Sequence, residues 1–352
     1  MAARPDDVEV DVAILHPEPG DDAGPLTRAT AAARLESATD HARGFLAAGA
    51  TRAALVSGPP DGRSFGARLR ELVADLGDGG LIVLGSGAIP LATARDRREL
   101  IDAARGSAPR ALTNNVYSGD VIAVAQARTA LAGVSDLATD NALPRWLDES
   151  GVPVEDRRRR RRLGVDIDGP LDLVLLGGRW VKNLPAGDLR AVRDALAGIR
   201  AVVEDPSAEL VIAGRVSAAN LGWLEARTAS RTRALVEERG LRTRRAGQRP
   251  AASVLGALVG RDGPGSLGSH LVRLGEAAII DTRVLLAHRY GAEEAAWPAA
   301  EDRFASDLLL ADRIADPWLR DPTAAAVAAP IPVLLGGHTL VGPGLHLALG
   351  GR

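Results

Sequence analysis

The sequence predicts a two-domain α/β protein. Short apolar runs of strand length alternate with alanine-rich stretches of helical period, and they do so in both halves of the chain. At 352 residues the chain is long enough for two cores. No repeat of fixed period suggests a solenoid. The expected division is a first α/β domain over 1–178, a linker helix over 179–206 and a second α/β domain over 207–352.

Val8 to Leu15 reads as the first strand, and Ala31 to Ala48 as a helix closed by Gly49. A short strand at Ala53 to Val56, a helix at Ser64 to Leu76 and a buried strand at Leu81 to Leu84 follow, then a helix after Thr93. Ala111 to Val124 sets a polar cluster between two apolar runs. In Leu163 to Leu176, Val165 and Ile167 alternate with Asp166 and Asp168, so the carboxylates face away from the core. Pro170 then suits the first turn of a helix, with Asp168 placed to cap it. The second half predicts strands at Ala208 to Ala213, Thr232 to Glu237, Glu276 to Asp281 and Ile331 to Leu335. Between them, helices are expected at Ala218 to Thr228, Pro250 to Val259 and Gly265 to Leu274.

Composition narrows the function classes. Lys+Arg 43 against Asp+Glu 45 give a net charge of −2, so bulk charge offers no reason to expect nucleic acid or a membrane surface as partner. Cysteine is absent, which removes thiolate metal sites and a cysteine nucleophile. Lys182 is the only lysine, so a Walker A loop is excluded. No apolar run reaches the length of a membrane span. Met1 to Val10 is charged and lacks an apolar leader core, so a cytoplasmic protein is expected. Self-association into a homo-oligomer stays open.

Several residues qualify as site candidates. Asn114, Asn115, Ser118 and Asp120 offer amide, hydroxyl and carboxylate groups that suit a base or a sugar, and equally an Asn-rich turn satisfying its own backbone. Asp140 and Asn141 form a second pair, with Asp140 also a good N-cap. The six arginines Arg157 to Arg162 suit a phosphate clamp or a solvated connector. In the second half, Arg215 follows a strand inside Gly-x-x-Ser, which can bind an anion, while Ser217 as a plain N-cap explains the motif equally. Asp281, Arg283, His288 and His338 follow strands of their own, where open α/β sheets place ligands.

Asp166-Ile167-Asp168-Gly169-Pro170-Leu171-Asp172-Leu173, Ile89-Pro90-Leu91 with Thr93, and the segment from Asn115 to Asp120 resemble motifs of MobA-like nucleotidyltransferases, the group that includes the 2-phospho-lactate guanylyltransferases. The resemblance spans roughly Val8 to Leu176. It implies a Rossmann-like domain that uses Mg²⁺ to join a nucleoside triphosphate to a phosphorylated small molecule. Asp166 and Asp168 would hold the metal, and Asn114, Asn115 and Asp120 would contact nucleotide or acceptor. The chain departs from the family in two places. The loop His16 to Thr30 is acidic where a basic phosphate loop stands, and no acid lies between Leu81 and Leu91. Two rival expectations therefore accompany the first: a non-catalytic nucleotide- or sugar-phosphate-binding scaffold or regulator, and an enzyme whose site lies in the C-terminal half.

Overall fold

A computed structural model describes residues 8–59, 61–74, 79–241 and 247–350. The chain falls into two compact units. One comprises residues 1–21 and 31–167, the other residues 22–30 and 168–352.

The first unit is built on a mixed six-stranded sheet, in the order β2-β1-β3-β5-β4-β6. Its strands are β1 (Val10–Pro17), β2 (Arg52–Gly58), β3 (Gly80–Gly85), β4 (Arg110–Thr113), β5 (Val121–Ala125) and β6 (Val154–Asp156). β5 alone runs against its neighbours. Its helices are α1 (Pro25–Ala47, from residue 31), α2 (Phe65–Ala74), α3 (Ala94–Ala104), α4 (Ala127–Ala130) and α5 (Leu143–Glu149). The sheet is covered on both sides. Val10, Val12, Ile14, Ile82 and Leu84 pack with Phe45, Leu100 and Ile101 from α1 and α3. Ala13, Leu81, Val83, Ile122 and Val124 pack with Leu69, Leu131 and Leu147 on the other face. Burial on both faces is why these strands read as continuous apolar runs. The predicted helix ending at Leu76 extends past the described residues by Asp75 and Leu76, as does the Met1–Asp7 part of the leader reading.

The run of arginines joins this core. Thr93 caps α3 in a reciprocal box with Asp96, which also receives Arg160 and Arg162, while Glu99 receives Arg157 and Arg160. Burial would raise Asp96, but the Arg162 hydrogen bonds outweigh it and hold the carboxyl far below its usual range. Asp96→Ala removes the second half of the capping box and the arginine anchor together. It should lower the unfolding free energy by about 1–2 kcal/mol, measurable by urea denaturation, whereas Arg159→Ala should change it little.

The second unit holds a parallel four-stranded sheet, β10-β9-β7-β8. It contains α6 (Pro170–Leu176), α7 (Arg190–Val203), β7 (Glu209–Gly214), α8 (Ala218–Arg227), β8 (Arg231–Val236), α9 (Val254–Asp262) and α10 (Leu267–Val272). These are followed by β9 (Ala277–Asp281), α11 (Thr282–Tyr290), α12 (Ala300–Asp307), α13 (Pro317–Ala328), β10 (Val333–Gly336), α14 (His338–Val341) and α15 (Leu345–Ala348). β9 and β10 are buried throughout, and β8 is the exposed edge.

Three local expectations change. The helix expected from Ala31 begins at Pro25, because the Glu301 carboxylate on α12 accepts the backbone N–H groups of Leu26 and Thr27 at 3.0 and 2.9 Å. Asp168 does not cap α6; Gly169 does, and buried Asp172 reaches back to accept from the N–H groups of Asp168 and Gly169, both at 2.8 Å. The helix expected from Pro250 starts at Val254, where Ser253 caps it and Glu237 accepts from both residues.

Candidate functional site

In each unit the chain leaves a central strand to one side and returns on the other. That reversal lies between β1 and β3 in the first sheet, and between β7 and β9 in the second. The carboxyl ends of such a strand pair form the crevice where open sheets bind ligands.

At the first crevice, β1 carries His16 as its penultimate residue and β3 runs into Ser86. Both side chains are buried, with Nδ1 and Oγ 3.0 Å apart. Burial, then the Arg34 charge, push His16 below its ordinary value. The antiparallel course of β5 brings Asp120 to the same edge, since Leu84 pairs with Val121. Asp120 and Asp140 line one small cleft there with Gly85, Gly119, Phe65 and Leu143. The loop after Ser86 is strained: Ile89 has φ 43°, a left-handed conformation that a β-branched residue rarely adopts. The loop is held by His41, whose Nε2 lies 2.7 Å from the Ala88 carbonyl, and by a bridge between Ala88 and Asp166.

The first-unit candidates divide. Asn114 is buried and committed: its amide donates to Asp120 and to the Leu163 carbonyl, and its oxygen accepts from the Asp120 N–H. Asn115 accepts from the Tyr117 N–H, the self-satisfying turn that the sequence also allowed. Ser118 donates to Asn141 at 2.6 Å, tying the two polar segments together. Asp140 accepts from the Asn141 N–H and opens a short 3₁₀ turn. Asp166 accepts from the Ile167 N–H; exposed Asp168 belongs to the second unit. Three of the six arginines are tied to α3 as described above.

At the second crevice, four of the five candidates converge. Arg215 donates through Nε and Nη2 to both oxygens of Asp281, at 2.6 and 3.1 Å, and both side chains are buried. Gly214 has φ +120°, and a Cβ there would lie 2.3 Å from the Asp281 Cβ, so this approach requires glycine. Arg283 forms a second fork on Asp307, with Nη2 donating to Oδ2 at 2.7 Å. Burial alone would raise Asp281, but Arg215 outweighs it and holds the carboxyl below the usual range. Burial opposes the Arg283 charge, yet Asp307 holds the guanidinium above its ordinary value. Asp172 stands opposite to these: burial and the Asp168 charge push it well above the carboxylate range. His338 begins α14, and burial, then the Arg215 charge, push it down to about 4.

His288 does not join them. Its Nδ1 accepts from the Ser253 N–H at 3.3 Å, so it secures the start of α9. Ser217 accepts from the Asn220 N–H as a plain N-cap. Sequence reasoning missed the roles of Ser86 and His41; the cue was a buried-type strand followed by a polar glycine loop and proline. Comparison of the chain with protein-family models, with curated proteins and with solved structures gave no match.

Proposed function

We propose that the first unit binds a nucleotide at the carboxyl edge of its mixed sheet, and that the chain is a nucleotidyltransferase-like protein acting on a nucleoside triphosphate and a phosphorylated small molecule. The observation that supports this reading is the cleft at the β1–β3 reversal, where Asp120 and Asp140 face one space bounded by Gly85 and Gly119. Paired carboxylates accept amino and hydroxyl protons, the groups that a base edge and a ribose present. Glycines let backbone approach a flat ligand closely. In the reaction that such a site serves, an acceptor phosphate oxygen attacks the α-phosphorus in line and pyrophosphate leaves.

Magnesium carried by a triphosphate needs only one or two protein carboxylates. Among the described residues no group of three or more His, Asp or Glu side chains is placed to hold a metal ion. Asp166 is the carboxylate that would meet such an ion, which would neutralise triphosphate charge. A second reading, a nucleotide-binding scaffold without turnover, is favoured by Arg157, Arg160 and Arg162 being committed to Glu99 and Asp96 rather than to an open phosphate cradle.

A thermal-shift screen against ATP, GTP, CTP, UTP and nucleotide sugars, with and without Mg²⁺, tests the reading. Ligand at about 100 times its Kd stabilises by roughly 2.7 kcal/mol, a rise of several degrees, and Asp120→Asn should remove the rise. A flat response to every nucleotide, or an undiminished one in the variant, sinks the proposal. Pyrophosphate release then separates transferase from scaffold.

A further inference from the structure

The carboxyl edge of the second sheet holds groups that nucleotide binding by the first unit leaves unused. The Arg215–Asp281 and Arg283–Asp307 forks are buried near one another there, linked through α11, whose N-cap is Asp281 and whose second residue is Arg283. Two buried ion pairs are a costly way to build a core, since apolar residues of similar volume often serve as well or better. At a strand reversal they have another use, because rigid charge pairs fix the surroundings of whatever binds beside them.

His338 is the group left over. Its Nδ1 is buried and makes no hydrogen bond to any described residue. An unmet buried polar atom costs free energy that a suitable ligand group recovers. The imidazole is kept neutral by burial and by Arg215, which argues against an anion as its direct partner. A hydroxyl fits, because it donates and accepts and so satisfies Nδ1 whichever ring nitrogen carries the proton. Two exposed side chains stand at this same edge: Asp168 precedes Gly169, where a Cβ would lie 3.5 Å from Asp307 Oδ2, and Arg239 lies just beyond Glu237, whose N–H donates to the Gly214 carbonyl at the end of β7. A carboxylate accepts further hydroxyls, and a guanidinium fork matches phosphate or carboxylate.

We infer that the carboxyl edge of β7, β9 and β10 binds a small polyhydroxylated anion, a sugar- or polyol-type phosphate or acid, with hydroxyls on His338 Nδ1 and Asp168 and the anionic group on Arg239. The site stands independently of the nucleotide reading, and its ligand would bind without Mg²⁺.

Calorimetric titration of the full chain with glycerol 3-phosphate and with glycerate tests this, with glycerol and inorganic phosphate as the partial ligands. The expected result is binding of one of the first two at millimolar concentration, with the phosphate and carboxylate arms deciding which anion is taken. His338→Gln and Arg239→Ala should each weaken that binding by about tenfold or more, a loss of about 1.4 kcal/mol. In protein labelled with ¹⁵N-histidine, the ligand should move the His338 ring resonances, identified by their absence in His338→Gln. The inference is overturned if neither compound binds, or if inorganic phosphate alone binds as tightly as glycerol 3-phosphate. It is also overturned if exposed Arg239→Ala and a folded His338→Gln both bind as the parent does.

Discussion

Asp307→Ala is expected to destabilise the second unit by about 3–5 kcal/mol, read as a lower urea midpoint in its unfolding transition. Arg283 is only 8% exposed, and Asp307 receives both arms of its fork. Removing the carboxylate leaves a guanidinium buried beside Asp281, which Arg215 already occupies. The cost is that of an uncompensated charge, not the worth of the pair. Replacing both partners, Arg283→Met with Asp307→Leu, should therefore recover most of the loss. A single variant within about 1 kcal/mol of the parent would show that water or a moved side chain satisfies Arg283, and that the fork does not hold this edge rigid.

The second large effect is acid lability of the first unit through His41. Burial, then the charge of Arg97 on α3, push its imidazole from 6.5 down to about 4, while the Ala88 carbonyl and Asp40 pull the other way. Between those two values the unfolded chain holds a proton that the folded chain does not, so stability rises with pH across that window. The contribution is complete above about pH 6.5 and is lost as the pH falls toward 4, on the order of 3 kcal/mol in all. Folded and neutral, His41 donates from Nε2 to the Ala88 carbonyl and so anchors the strained loop. His41→Gln keeps a donor and removes the titration. Denaturant unfolding at pH 7 and pH 4.5 should show a markedly smaller acid loss in the variant. Equal losses would mean that His41 does not carry the effect.

The strand runs show which features local sequence could carry. β1, β3, β7 and β9 were legible because each puts apolar residues on both faces, and α3 and α8 because Thr93 and Ser217 stand at their starts. Val165 and Ile167 are buried as their alternation predicts, although only Asp166 makes a bridge. The start of α1 was not legible. Its first turn lacks an acid, and the carboxylate that meets its N–H groups is 275 residues away in sequence.

The same division holds for the candidate sites. Strand ends followed by Arg215, Asp281, Arg283 and His338 could be picked out singly, because a strand boundary is a local property. Sequence by itself therefore determined the class of the protein, an α/β chain with two sheets and polar residues at strand ends. Only the tertiary structure decided that β7 and β9 are neighbours, and hence that Arg215 grips Asp281 across 66 residues while His288 turns to α9. Periodicity reflects what one segment buries. Pairing of charges depends on strand order, which is settled by how all the segments pack at once.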